Sequence, residues 1–270
     1  MTIRFALGAT LVLAGAATAV AWVSGRSDNI GASAYPFEIE HPEVGLPAGR
    51  DEKTEYAFAR LRYHSLRGPV VFYSWGMDAP KSERQFVQGV RRLTRLHTSP
   101  LEQVVSVDND KLYDWPWMFA LEVGYWDLSP PHAARLREYL LRGGFLMIDD
   151  FHGTAEWYRF MEGMKRVFPD RPMVDIENSD QIFNVVYELK ERIQVPGLQF
   201  LESGRLYERD GVIPRWRGVY DDQKRLMVLV CHNQDNGDAW EWADHPAYPE
   251  PYASQAYRLG INSIIYSMTH

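Results

Sequence analysis

Along this chain, acidic side chains collect where apolar runs end, and any chemistry would lie there. Asp149, Asp150 and His152 directly follow Phe145 to Ile148, Asp108 follows Glu102 to Val107, and Asp78 lies in the loop after Val70 to Tyr73. A second polar stretch, His232, Asn233, Asp235, Asp238 and Glu241, follows Leu226 to Cys231. If these runs are strands of one parallel sheet, the side chains gather on its carboxyl edge, where open α/β sheets bind ligands. Carboxylates sharing a cleft repel one another unless a cation, a basic side chain or hydrogen-bond donors compensate. A divalent cation is one solution. The plainer one is that each Asp caps the turn that follows it. No HExxH motif occurs, and Asp108-Asn109-Asp110 lacks the glycine and terminal glutamate of a calcium loop, so the sequence specifies no metal. Asp149, Asp150 and His152 are the candidate catalytic residues, and Asp78, Trp75, His232, Asn233, Asp235, Asp238, Trp240 and Glu241 the candidate ligand-binding ones.

Tryptophans add a second theme. Trp75, Trp115, Trp117, Trp126, Trp240 and Trp242 lie in or beside the same loops. Their faces would suit sugar rings of an envelope glycan; the alternative is that such large rings are buried as core. Gly-rich phosphate loops (GxGxxG, GxxxxGK) are missing from the sequence, which disfavours nucleotides.

The elements that must position these residues follow from periodicity. Ser129-Pro130-Pro131 caps and starts a helix, Leu136 and Leu140 mark its apolar stripe, and Gly143-Gly144 ends it before the strand Phe145 to Ile148. Ser82 and Gln85 form a capping-box pattern ahead of Phe86, Val90 and Leu93. Thr154 to Val167 and Gln255 to Met268 are expected as helices. Phe58 to Tyr63 alternates like a half-exposed strand, and Val70 to Tyr73, Glu102 to Val107, Met118 to Val123, Ile182 to Leu189 and Leu226 to Cys231 are expected as further strands. Asn236-Gly237 reads as a turn returning Asp238 and Glu241 over the sheet. The carboxylate of Asp149 or Asp150 should then lie within about 10 Å of Asp235, Asp238 or Glu241, close enough for charges to couple. Of the adjacent aspartates, one should face the cleft and the other cap the helix near Thr154. The alternation of strand and helix is that of a mostly parallel sheet with helices on both faces.

The 270 residues are 46% hydrophobic and 24% charged, with net charge −7, enough for one main domain over residues 56–270 and wrong in sign for nucleic acid. The single cysteine, Cys231, excludes an internal disulfide and a multi-cysteine zinc site. Residues 1–25 carry the uncharged run Phe5 to Val23, which reads as a cleaved export signal or a membrane anchor. Residues 26–55, rich in Pro and Gly, read as a tether. Everything beyond the apolar run is therefore expected outside the cytoplasm.

The stretches YSWGMDAP, WPWMFALEVGYWDLSPPHAARLREYLLRGGFLMIDDFHG, SDQIFNVVYEL, LVCHNQDNGDAWEWAD and YRLGINSIIYSMTH resemble the bacterial domain-of-unknown-function family 4159 over roughly Ala57 to His270. That resemblance implies a flavodoxin-like, class I glutamine amidotransferase-like three-layer sandwich and an envelope setting, without a reaction. Amidotransferase chemistry needs a cysteine on a Gly-flanked elbow with a nearby His base. Asp149 and Asp150 hold that position here, and Cys231 reads as the apolar end of a strand. Two functions remain. One is an envelope binding or assembly protein that kept the fold without the nucleophile; the other is a hydrolase, with a divalent cation as a possible cofactor, acting on an envelope glycan or peptide.

Overall fold

A computed structural model describes residues 44, 47–49, 52–68 and 74–270 of the chain. Phe5 to Val23, most of the expected tether and the expected strand Val70 to Tyr73 lie outside the described residues. Seven strands form one sheet in the order β2-β1-β3-β4-β7-β6-β5. They are β1 (Ala59–Arg62), β2 (Gln103–Ser106), β3 (Trp117–Leu121), β4 (Phe145–Asp149), β5 (Val174–Asp175), β6 (Arg215–Tyr220) and β7 (Leu226–His232). The first five in that order run parallel, and β6 and β5 close one side antiparallel.

Side-chain alternation along the central strands feeds two cores. In β3, Met118 and Ala120 pack with Leu136 and Leu140 of α2 (Pro130–Leu141) and Phe160 and Met164 of α3 (Gly153–Val167), while Trp117, Phe119 and Leu121 point the other way. There they meet Phe86 and Val90 of α1 (Lys81–Leu93) and Leu259 and Ile264 of α6 (Glu250–Thr269). Helices therefore cover both faces, as a parallel sheet requires; a further short helix, α4 (Gln199–Ser203), lies between β5 and β6 in the chain. α1 follows β1 on one face and α2 follows β3 on the other, so the crossovers diverge between these neighbouring strands. Their carboxyl ends are therefore the position of the switch point in a doubly wound sheet, where such folds bind ligands. Among the described residues, no helix is long and apolar enough to cross a membrane.

Several expectations needed correction. β1 is not half-exposed: Phe58, Ala59, Arg60 and Leu61 are all fully buried. The buried Arg60 guanidinium pairs with Glu83 and donates to the carbonyls of Trp75 (2.9 Å) and Met77 (2.8 Å) and to Ser82 Oγ (3.2 Å). Ser82 thus serves Arg60 and Glu83, α1 starts without a side-chain cap, and Gln85 reaches Asp244 instead of forming a capping box. Ile182 to Leu189 is not a strand. It is a 3₁₀ turn (Gln181–Phe183) and a loop whose backbone groups at Ile182 and Tyr187 bond to the side chain of Asn262 in α6. β6 breaks the apolar pattern with Arg215 and Arg217, which suits an antiparallel strand near the sheet's edge with a partly solvated face. Finally, Asn236-Gly237 is no reverse turn but the start of the short helix α5 (Asn236–Glu241), capped by Asp235, whose carboxylate accepts from the Asp238 N–H at 2.8 Å.

Candidate functional site

The carboxyl ends of β3, β4 and β7 and the loop of residues 74–80 that leads into α1 share an unusual backbone. Glu122, Asp150 and Asn233, each the first residue after its strand, and Asp78 in that loop have φ values of 53°, 44°, 63° and 60°. Asp and Asn tolerate the left-handed region better than most side chains, but Glu gains nothing there, and such outliers concentrate at functional sites. The strand ends hold one another in place. The Glu122 N–H donates to the Asp150 carbonyl (2.9 Å), the Asp150 N–H to the Gln234 carbonyl (3.2 Å), and the Asn233 N–H to the Phe151 carbonyl (3.1 Å).

On this frame two sets of side chains converge. Ligand atoms of Asp150, His152, Glu208 and Asp235 lie within 4.8 Å of one another, and so do those of Asp78, Asp235 and Asp238. Asp235 belongs to both sets, so five carboxylates and one imidazole form a continuous cluster. His152 Nε2 stands 3.1 Å from Asp150 Oδ1 and 3.7 Å from Glu208 Oε1. Two glycines leave room for the acids. A Cβ on Gly197 would lie 2.4 Å from Asp235 Oδ2 and 2.8 Å from Asp238 Oδ2, and one on Gly237 would lie 2.4 Å from Asp78 Oδ2. The two acidic stretches therefore converge in one buried cluster, with Asp150 and Asp235 well inside the 10 Å expected, as the parallel course of β7 beside β4 requires.

Crowding and burial disfavour the charged form of Asp78, Asp150 and Asp235. Burial raises the pKa values of Asp78, Asp150 and Asp235 well above the usual carboxylate range. The neighbouring acids push in the same direction: Asp238 on Asp78 and Asp235, and Glu208 on Asp150. At the rim, burial and then Asp150 raise Glu122 to about 8, although Arg67 pairs with it at 3.1 Å. Glu241, almost fully buried in α5, adds its charge to the field on Asp78.

Not every candidate joins the cluster. Asp149 caps a helix, but α5 rather than the one near Thr154. Its Oδ2 accepts from the N–H groups of Asn236 (2.6 Å) and Gly237 (3.0 Å), and its Oδ1 from Asn236 Nδ2 (2.7 Å). Even with these donors burial raises it to about 7. The start of α3 is held instead by Asn233 Oδ1 and Asp210, which accept from Gly153 and Thr154. Asn233 also donates to the Ile213 carbonyl, so both ends of its amide have structural work. His232 lies against Phe151 and Trp157, with ring centroids 4.8 Å from each, and burial lowers it to about 4. Asp108 stands apart, exposed at the β2 end of the edge beside His64 and His132, because two strands, β1 and β3, lie between β2 and β4.

Glycan stacking is corrected for Trp75 and Trp240. Both rings are core: Trp240 is fully buried 4.3 Å from Phe86 and 5.1 Å from Phe119, and Trp75 packs among the residues on the α2 face. Glu208 and Glu122 were missed. Glu208 lies in a stretch without helix, strand or hydrophobic period, and Glu122 is legible in the sequence only as the one acid inside the expected strand Met118 to Val123.

One substitution separates structure from site. Asn236 Oδ1 is buried without a hydrogen-bond partner, so in Asp149→Asn a rotation of the Asn236 amide supplies an acceptor for the new NH2 group. We expect Asp149→Asn to change stability by less than about 1 kcal/mol, and Asp149→Ala, which strands three donors, to cost about 3 kcal/mol. Urea unfolding of both variants measures this.

The fold and its acidic cluster define a class: a mixed α/β protein with a mostly parallel seven-stranded sheet and a buried group of acids on the carboxyl edge. A family model described as Domain of unknown function (DUF4159) matches residues 57–268, and the chain belongs to that family. Comparison with curated proteins gives no match.

Proposed function

We propose that the acidic pocket binds a divalent cation and that the protein is a cation-dependent hydrolase acting on an envelope glycan or peptide. The carrying observation is the convergence of Asp150, His152, Glu208 and Asp235, joined through Asp235 to Asp78 and Asp238. A purely binding or assembly role needs no buried acids at raised pKa, whereas acid–base chemistry does, which favours the hydrolase over that alternative. Three carboxylates with one imidazole suit Mg2+ or Mn2+. Such an ion polarises a substrate oxygen and acidifies bound water. In this reading Glu122, raised to about 8 by burial and by Asp150, is the group that exchanges a proton. Glutaminase activity is not part of this reading, because Cys231 is fully buried in β7 with its thiol pKa raised by burial.

The finer fold reading, a class I glutamine amidotransferase-like three-layer sandwich, is supported by helices on both faces and by the divergence of crossovers between β1 and β3. The envelope setting is supported by the sequence run Phe5 to Val23, as export signal or anchor.

pH tests the pocket. Asp149 and Glu122, raised to about 7 and about 8, keep protons in the folded state that the unfolded chain has already lost. Their contribution is therefore present at low pH and disappears as pH rises through those values. His232 works the other way: lowered from 6.5 to about 4, it costs stability as pH falls through that range. Between pH 6.5 and 8 only the acids act, so the melting temperature of the purified full chain in chelator should fall. At pH 8, Mn2+ at a hundred times its Kd should restore about 2.7 kcal/mol, or roughly 5–10 °C, and much less at pH 5.5, where protons compete. Release of soluble fragments from peptidoglycan sacculi, dependent on Mn2+ and lost in Asp150→Asn, would support hydrolysis. Binding of sacculi without release would leave the assembly role, and no Mn2+ response at pH 8 would sink both the cation and the hydrolase.

A further inference from the structure

At the other end of the same carboxyl edge three side chains from three elements meet. His64 lies two residues beyond β1, Asp108 two beyond β2, and His132 in the first turn of α2. A ring nitrogen of each histidine and a carboxylate oxygen of Asp108 lie within 4.8 Å of one another. The two imidazoles stack with centroids 5.1 Å apart at 29°.

The backbone beneath them is fixed. The Asp127 N–H donates to the His64 carbonyl (2.6 Å), the Val107 N–H to the Arg62 carbonyl (3.0 Å), and Arg135 of α2 reaches the Val107 carbonyl (3.2 Å). Ser129 caps α2 by accepting from the His132 N–H (3.4 Å). His132 Nδ1 is buried and has no hydrogen-bond partner. An imidazole nitrogen left unsatisfied beside a second imidazole and a carboxylate is a donor set lacking its acceptor.

We propose that His64, Asp108 and His132 form a second metal site, for a borderline transition-metal ion such as Zn2+, Co2+ or Ni2+. Two imidazoles select these ions over Mg2+ or Ca2+, and three protein ligands leave a coordination position open, as in catalytic rather than structural zinc sites. Bonds near 2 Å in a tetrahedron place ligand atoms about 3.3 Å apart. The set must therefore contract by at most about 1.5 Å, which rotamer changes of the exposed His64 and Asp108 supply while the helix holds His132. This site is separate from the acidic pocket in ligand chemistry and in position.

The test uses the full chain, with Zn2+, Co2+ and Mn2+ titrated separately by calorimetry and Co2+ followed also by its visible spectrum. An Asp235→Asn background removes the acidic pocket from the count. We expect one equivalent of Zn2+ to remain bound there, with Co2+ giving a tetrahedral-type spectrum. Adding His64→Ala or His132→Gln should weaken Zn2+ binding by about 100-fold or more and abolish the spectrum. In the otherwise unaltered chain, His64→Ala should leave Mn2+ binding unchanged. Retention of Zn2+ affinity in both histidine variants, or loss of all Zn2+ binding in Asp235→Asn alone, overturns the second site. Either result leaves the acidic-pocket reading to be judged on Mn2+.

Discussion

Arg60→Met should lower stability by about 3–5 kcal/mol, the largest single-residue effect expected in this protein. The substitution leaves the fully buried Glu83 without its charge partner and removes donors from the carbonyls of Trp75 and Met77. Against a total of about 5–15 kcal/mol, that loss brings the domain near unfolding at 37 °C. The double variant Arg60→Met/Glu83→Leu should recover part of it, since a buried ion pair replaced as a unit costs far less than one that is broken. Urea unfolding of single and double variants measures both. A single-variant cost below about 1 kcal/mol would mean that Glu83 finds other compensation. The site is affected too, because the loop tied down by Arg60 carries Asp78, and the Arg60 charge lowers the pKa of Asp78 against the pull of burial.

Asp235→Asn should weaken cation binding in the acidic pocket by at least about 100-fold while making the cation-free protein more stable at pH 8. Asp235 is the one residue common to both ligand sets. Asparagine keeps the side-chain oxygen that caps α5, so the helix survives the change. Removing one of five crowded carboxylates relieves repulsion among the rest, and a rise in melting temperature of about 3 °C in chelator is the expected size. Opposite signs for binding and stability are the signature of an acid held for function. A fall in stability with Mn2+ affinity intact would instead make Asp235 a plain helix cap.

The sequence by itself determined the repeating strand and helix scheme and the edge on which to look. Apolar runs such as Phe145 to Ile148 and Leu226 to Cys231 are buried on both faces whatever their neighbours, so their pattern is local. Ser129-Pro130-Pro131 likewise fixes a helix start by its own hydrogen bonding. The convergence of DDFH with the acids after β7 also followed, because a parallel sheet carries every strand's end to one edge. Which acid does what was decided only by tertiary structure. Asp149 and Asp150 are adjacent in sequence, yet one is spent on α5 and the other turns into the cluster through its left-handed backbone. By sequence Arg60 reads as the polar side of a half-exposed strand, and only the fold sets the buried Glu83 beside it. Glu208 enters from a stretch without period, and His64, Asp108 and His132 lie far apart in the chain. These contacts depend on which loops the sheet order brings together, and short-range periodicity carries no information about that order.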